Sequence, residues 1–92
     1  MKLVVNKCYG GFSLSDEALS MLGLEHQYDA WDIDRNDPRL VKVVETLGRA
    51  ADGRHARLVV VELPEDTTDH YVDEYDGMET VIYVVGGLLR WA

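Results

Sequence analysis

His70-Tyr71-Val72-Asp73-Glu74-Tyr75-Asp76-Gly77-Met78-Glu79-Thr80-Val81-Ile82-Tyr83-Val84-Val85 is the stretch that decides the fold. Asp76-Gly77 joins two runs rich in β-branched and aromatic residues, and both turn residues tolerate the positive φ of a type I′ hairpin turn. Strands are expected over His70–Tyr75 and Met78–Val85, with Tyr75 opposite Met78 and Val72 opposite Val81.

Working outward, Ala56–Leu63 contains Leu58-Val59-Val60-Val61, a nearly continuous apolar run that predicts a central strand covered on both faces, and Pro64 stops it. Before it, Asp37-Pro38 signals a helix start. Aspartate suits the N-cap, and proline at the first helical position loses no hydrogen bond. Leu40, Val43, Val44, Leu47 and Ala51 then trace one face at helical spacing, Gly53 is placed to end the helix, and the apolar face is expected to lie on a sheet.

At the start of the chain, Lys2–Cys8 opens with Leu3-Val4-Val5 and is followed by Tyr9-Gly10-Gly11, which predicts a strand entering a turn. Ser15 offers an N-cap, Asp16 and Glu17 place acids in the first turn, and Leu14 with Leu19 is spaced as a hydrophobic staple. A short helix is expected from about Asp16 to Leu22, ending near Gly23. Tyr28–Ile33, with a broken pattern among aspartates, is read as a further strand. The order β-α-(β)-α-β-β-β predicts one α+β domain over residues 1–92, with one or two helices packed on a mostly antiparallel sheet. The tail Gly86-Gly87-Leu88-Leu89-Arg90-Trp91-Ala92 either docks on this domain or contacts a second copy.

The chain has 92 residues, 47% apolar and 28% charged, the composition of a folded domain with a modest core. Its net charge of −8 disfavours direct binding to nucleic acid, although a surface spaced with carboxylates can occupy a basic groove that normally holds phosphates. Cys8 is the single cysteine, so no internal disulfide forms, and a buried structural thiol in a reducing cytoplasm is expected. The first residues carry too short an apolar run for a signal peptide, and no run is long enough for a membrane span.

Charge is unevenly distributed. No lysine or arginine occurs from Leu58 to Leu89, where Glu62, Glu65, Asp66, Asp69, Asp73, Glu74, Asp76 and Glu79 fall. Arg35, Arg39, Lys42, Arg49, Arg54 and Arg57 lie in or beside the second helix. These are either two solvated faces of one domain or an acidic edge that faces a partner, and carboxylates also discourage edge-to-edge strand pairing. Asp32, Asp34 and Asn36 occupy the first, third and fifth positions of a calcium loop, but Asp37 stands at the glycine position and Val43 at the glutamate position, so a turn leading into the Asp37 cap explains them better. His26, His55, His70 and Cys8 lack metal-ligand spacing and nothing pairs Cys8 with a base, so no metal, cofactor or catalytic residue is expected. Gly10-Gly11 between a strand and a capped helix has the layout of an anion cradle without its lysine or its longer glycine pattern.

Asn6-Lys7-Cys8-Tyr9-Gly10-Gly11-Phe12-Ser13-Leu14-Ser15, then Arg35-Asn36-Asp37-Pro38, Leu47-Gly48 with Asp52-Gly53-Arg54, and Glu74-Tyr75-Asp76-Gly77 together resemble a family of small uncharacterised proteins encoded by bacteriophages and prophages. These segments span most of the chain in order. The family carries no assigned activity, so the resemblance implies a phage or bacterial origin and a cytoplasmic setting in the bacterial host, and transfers no catalytic residue. The family's usual ending is a polar tail closing in a histidine-arginine-threonine-tryptophan run; here Val84-Val85-Gly86-Gly87-Leu88-Leu89-Arg90-Trp91 is apolar and keeps one arginine and one tryptophan.

The functional expectation is a non-enzymatic, acidic protein-binding module, a phage or prophage accessory protein that inhibits a host nucleic-acid-handling or defence complex, an anti-CRISPR role included. Its partner is a host protein with a basic surface, met by Asp73, Glu74, Asp76 and Glu79 and anchored by Tyr71, Tyr75 and Trp91. Alternatives are a homo-oligomer joined through Leu88, Leu89 and Trp91, and a small ligand-binding domain centred on the Lys7–Ser15 turn.

Overall fold

The computed structural model describes all 92 residues. The elements in order are β1 (Lys2–Asn6), α1 (Asp16–Met21), α2 (Gln27–Trp31), α3 (Pro38–Leu47), a 3₁₀ turn (Gly48–Ala51), β2 (Leu58–Glu62), β3 (Thr67–Tyr75), β4 (Met78–Val85) and β5 (Leu88–Trp91). The fold is α+β with antiparallel sheets throughout. β1 pairs with β2, and a second sheet runs β3-β4-β5.

Three layers result. On one side of the β1–β2 pair, Val4, Val60 and Leu58 pack against Leu14, Ala18 and Leu19 around α1 and against Leu40, Val43 and Val44 of α3. On the other side, Leu3, Val5, Val59 and Val61, with Leu63 just beyond β2, meet Val72, Val81 and Tyr83 of the second sheet. The pleat alternates side chains between these two cores, so an almost unbroken apolar run is required in both strands.

The β3-β4 hairpin has the expected register, Tyr75 opposite Met78 and Val72 opposite Val81, with Asp76 at φ 52° and Gly77 at φ 87°. α1 begins where Ser15 Oγ accepts from the Ala18 N–H at 3.1 Å. α3 begins where Asp37 accepts from the Arg39 N–H at 2.9 Å with Pro38 in its first turn.

Five expectations are corrected. Tyr28–Ile33 is not a strand: Gln27–Trp31 forms α2, because Ala30 alone turns into the core while Tyr28 and Trp31 share an outer helical face, the rings edge to face at 5.7 Å. Three helices therefore form rather than one or two. α3 stops at Gly48, whose φ of 57° breaks the helix five residues before Gly53, and Ala51 is buried from the 3₁₀ turn instead. β2 is an edge strand paired only with β1, its apolar run explained by the two cores and not by a central place. Cys8 is half-buried rather than buried. The tail adopts one of its two expected fates: Gly86-Gly87, both at positive φ, form a second hairpin turn that docks β5 on β4.

An ionic knot closes the second edge of β1. The Val4 N–H donates to the Arg35 carbonyl at 2.8 Å, and the Asn6 N–H donates to Glu79 Oε1 at 2.8 Å. The Arg35 guanidinium grips the Glu79 carboxylate at 2.5 and 2.7 Å and also donates to the Val4 carbonyl at 3.3 Å. Its Cζ lies 3.7 Å from the centre of the Phe12 ring. Both backbone and charge are satisfied at one point.

Removing one partner of this pair leaves a buried charge. Arg35→Met is expected to lower stability by about 3 kcal/mol. Glu79→Gln, which keeps an acceptor for the Asn6 N–H, is expected to cost less than Glu79→Leu. Urea unfolding midpoints measure all three, and equal midpoints for the two Glu79 variants would show that the Asn6 bond contributes nothing.

A second expected outcome concerns pH. The side-chain hydrogen bond from Arg39 holds the Asp37 carboxyl below its usual range, helped by the Arg39 backbone N–H. A carboxyl with a lowered folded pKa contributes stability above its unfolded value of about 3.9 and loses it as pH falls through the folded value. The advantage of the native chain over Asp37→Asn, which keeps a capping oxygen but no charge, is therefore expected to be constant at neutral pH and to vanish in acid. Thermal unfolding from pH 7 down to about 2 follows it.

Candidate functional site

Cross-strand partners share a face, so the register sorts the second sheet residue by residue. Val72, Glu79, Val81 and Tyr83 turn toward the β1–β2 pair. The opposite face carries Tyr75 beside Met78, Asp73 beside Thr80, the row Tyr71-Ile82-Trp91, and the row Asp69-Val84-Leu89. No element covers it. Tyr71 is 59% exposed, Tyr75 74%, Leu89 60% and Trp91 70%. Ile82 and Val84, between these side chains, are half-buried. Aromatic and aliphatic side chains thus form a continuous outer surface, with Asp69 and Asp73 along its β3 margin and Asp76 at the hairpin tip.

Of the seven residues singled out from the sequence, Tyr71, Asp73, Tyr75 and Trp91 come together on this face. Asp76 sits at its end. Glu74 points to the other side, where its carboxylate accepts the Gly77 N–H and braces the turn. Glu79 is corrected: it is 5% exposed and belongs to the Arg35 knot, so no partner reaches it. Alternation along Met78–Val85 already put Glu79 in phase with Val81, and that was the signal for its burial. Asp69, Ile82 and Leu89 join the face; their membership needs the β3-β4-β5 register, which β5 completes.

The Lys7–Ser15 turn is filled by the protein's own groups. A Cβ on Gly10 would lie 2.0 Å from the His55 carbonyl oxygen, and one on Gly77 would lie 2.5 Å from the Gly11 nitrogen and 2.7 Å from the Tyr9 carbonyl oxygen. The glycines therefore permit backbone to pack on backbone. Lys7 Nζ donates to the carbonyls of Glu79 at 2.7 Å and Ala92 at 3.0 Å. Buried Asn6 ties this turn to the hairpin, donating to the Cys8 and Gly77 carbonyls and accepting from the Arg57 N–H. Gln27, without a sequence signal, pairs its side-chain amide with both backbone groups of Leu14.

Asp34 and Asp37 form a turn, the Asp37 N–H donating to the Asp34 carbonyl at 2.9 Å. No group of three or more His, Cys, Asp or Glu side chains is placed to hold a metal ion. No helix is long and apolar enough to cross a membrane. No family model matches the chain, and no curated protein or solved structure matches it.

The close approach at Gly77 sets a test by comparison with Gly87, which also has positive φ, at 77°, but open space where a Cβ would stand. Gly87→Ala is expected to cost about 1 kcal/mol from backbone conformation alone. Gly77→Ala adds a backbone clash and is expected to cost at least about 2 kcal/mol more. Chemical denaturation of the two variants measures the difference, and equal losses would mean that the two turns do not press on each other.

Proposed function

We infer that the chain is a non-enzymatic protein-binding module that docks the outer face of β3-β4-β5 on a basic surface of a host protein. The observation that carries this reading is the uncovered face itself, where Tyr71, Tyr75, Leu89 and Trp91 stand exposed in a sheet whose margin bears Asp69, Asp73 and Asp76. Rigid aromatic side chains lose little freedom on contact and make strong anchors, and neighbouring carboxylates favour a basic partner and exclude an acidic one.

The sheet is also held in place before any partner arrives, because the Arg35–Glu79 knot and the Val81 core pin β4 from behind. Docking on a preformed surface avoids an ordering cost. The chain's excess of carboxylates and its resemblance to phage and prophage proteins support a cytoplasmic accessory protein of that origin. It inhibits a host nucleic-acid-handling or defence complex, anti-CRISPR action included, by occupying a groove that otherwise takes phosphates. The chain then binds no nucleic acid directly.

The test is affinity purification of the tagged protein from a lysate of its bacterial host at low and high salt, repeated with variants. The native chain is expected to retain a stoichiometric partner that high salt releases. Tyr71→Ala or Trp91→Ala is expected to weaken the complex by at least about 2 kcal/mol, roughly 30-fold. Joint reversal of Asp69, Asp73 and Asp76 to lysine is expected to slow association and abolish capture. A partner retained equally by the reversed protein would sink this reading.

A further inference from the structure

The edges of the sheets are not equally protected. At β3, Asp69 Oδ1 accepts the outward N–H of its neighbour His70 at 2.9 Å, the register shifts between Thr67 and Asp69, and Asp69, Asp73 and Glu74 line the strand. Bulges and charges of this kind oppose strand addition. At β2, Asp52 Oδ1 accepts the first outward N–H, that of Leu58, at 2.8 Å.

β5 has no such device. The Val81 and Ala92 backbones exchange both hydrogen bonds at 2.8 Å, and by antiparallel alternation Leu88 and Arg90 also bond to β4. Leu89 and Trp91 therefore direct their N–H and C=O groups away from the sheet, where they meet no partner. The strand bears one charge, Arg90, and Leu88, Leu89 and Trp91 are 58%, 60% and 70% exposed.

We propose that β5 pairs antiparallel with β5 of a second copy, about a two-fold axis at Leu89, to make a six-stranded sheet with one continuous outer face. The charge of Arg90 disfavours the adjacent register. Centring the pair on Arg90 would set two guanidiniums directly opposite each other in the close, non-hydrogen-bonded position. Centring on Leu89 places Arg90 opposite Leu88 and lets the two Leu89 residues exchange both backbone bonds. Trp91 then lies opposite Gly87, where nothing stands within 4 Å of a Cβ position, so space exists for the indole. The carboxylates of β3 lie two strands away from β5, about 10 Å, roughly one Debye length at moderate salt.

The pairing is independent of the partner reading and has the opposite salt dependence. Two copies each carrying −8 repel, so added salt strengthens self-association while it weakens binding to a basic partner. The paired edge is smaller than the about 1,000 Å² of a stable interface, which makes this a weak dimer with Kd on the order of 100 µM.

Sedimentation velocity of the whole chain up to about 500 µM, at about 50 and 500 mM NaCl, reads this directly. A concentration-dependent dimer that grows with salt and is lost in Leu89→Asp is expected. Oxidation tests the register: Leu89→Cys with Cys8→Ser is expected to form a symmetric disulfide dimer, since facing Cα atoms lie about 5.5 Å apart. Trp91→Cys with Cys8→Ser is expected not to, because its two sites are about 14 Å apart. A native chain that stays monomeric at both salts, or a Trp91→Cys dimer forming as readily as the Leu89→Cys one, overturns the proposal. Circular dichroism of each variant separates loss of pairing from loss of fold.

Discussion

The Arg35–Glu79 pair, set on the open edge of β1, is the constraint on which the rest of the structure depends. A two-stranded sheet leaves each strand one unpaired edge, and β1 is buried, so the N–H groups of Val4 and Asn6 need partners that no third strand supplies. The Arg35 carbonyl and the Glu79 carboxylate supply them. The same two residues neutralise each other, and Phe12 covers the guanidinium. One knot thus joins β1, the loop before α3, the turn before α1 and β4. A hydrocarbon pair of equal volume would fill the space and keep the Val4 N–H bond to the backbone of residue 35, but it would leave the Asn6 N–H without its acceptor and the Val4 carbonyl without the guanidinium.

From this point the layers follow. β1 is clamped between the helices and the second sheet, so its side chains divide between two cores, and β4 is held against it by Val81 and by Glu79. Asn6 adds the second tie by joining the first turn to the hairpin at Gly77. Both links run from the start of the chain to residues more than seventy positions later. The second sheet is consequently fixed from one side only, and its other side is left uncovered by the protein's own elements.

That one-sided anchoring gives the candidate site its character. A sheet face with Tyr71, Tyr75, Leu89 and Trp91 exposed is stable in water because the hydrogen-bonded ladder and the inner core hold it, not because its outer residues pack. The aspartates at the β3 margin keep that side from accepting another strand, whereas β5 at the opposite margin is apolar and open. Asymmetry between the two margins gives the face a direction: charge toward β3, backbone and hydrocarbon toward β5.

The sequence by itself determined the elements whose signals are local. Asp76-Gly77 placed both strands and their register, because positive φ at two adjacent residues permits few alternatives; Ser15 and Asp37-Pro38 placed two helix starts, because a cap is satisfied within one turn of chain. Tyr71, Asp73 and Tyr75 were named from the sequence as contact residues, but together with Glu74 and Glu79, which the strand period turns to the opposite face. Only the tertiary structure decided the rest. Glu79 looked like one more surface carboxylate until Arg35, forty-four residues away, claimed it. Leu58–Val61 looked central because a strand between two cores and a strand inside a sheet have the same composition. Tyr28–Ile33 looked extended because five residues are too few for a helical period to declare itself against one buried alanine. The glycines at 10 and 77 looked like freedom for a ligand or a turn, and proved to be the space where two segments of backbone meet, a contact that no local pattern encodes.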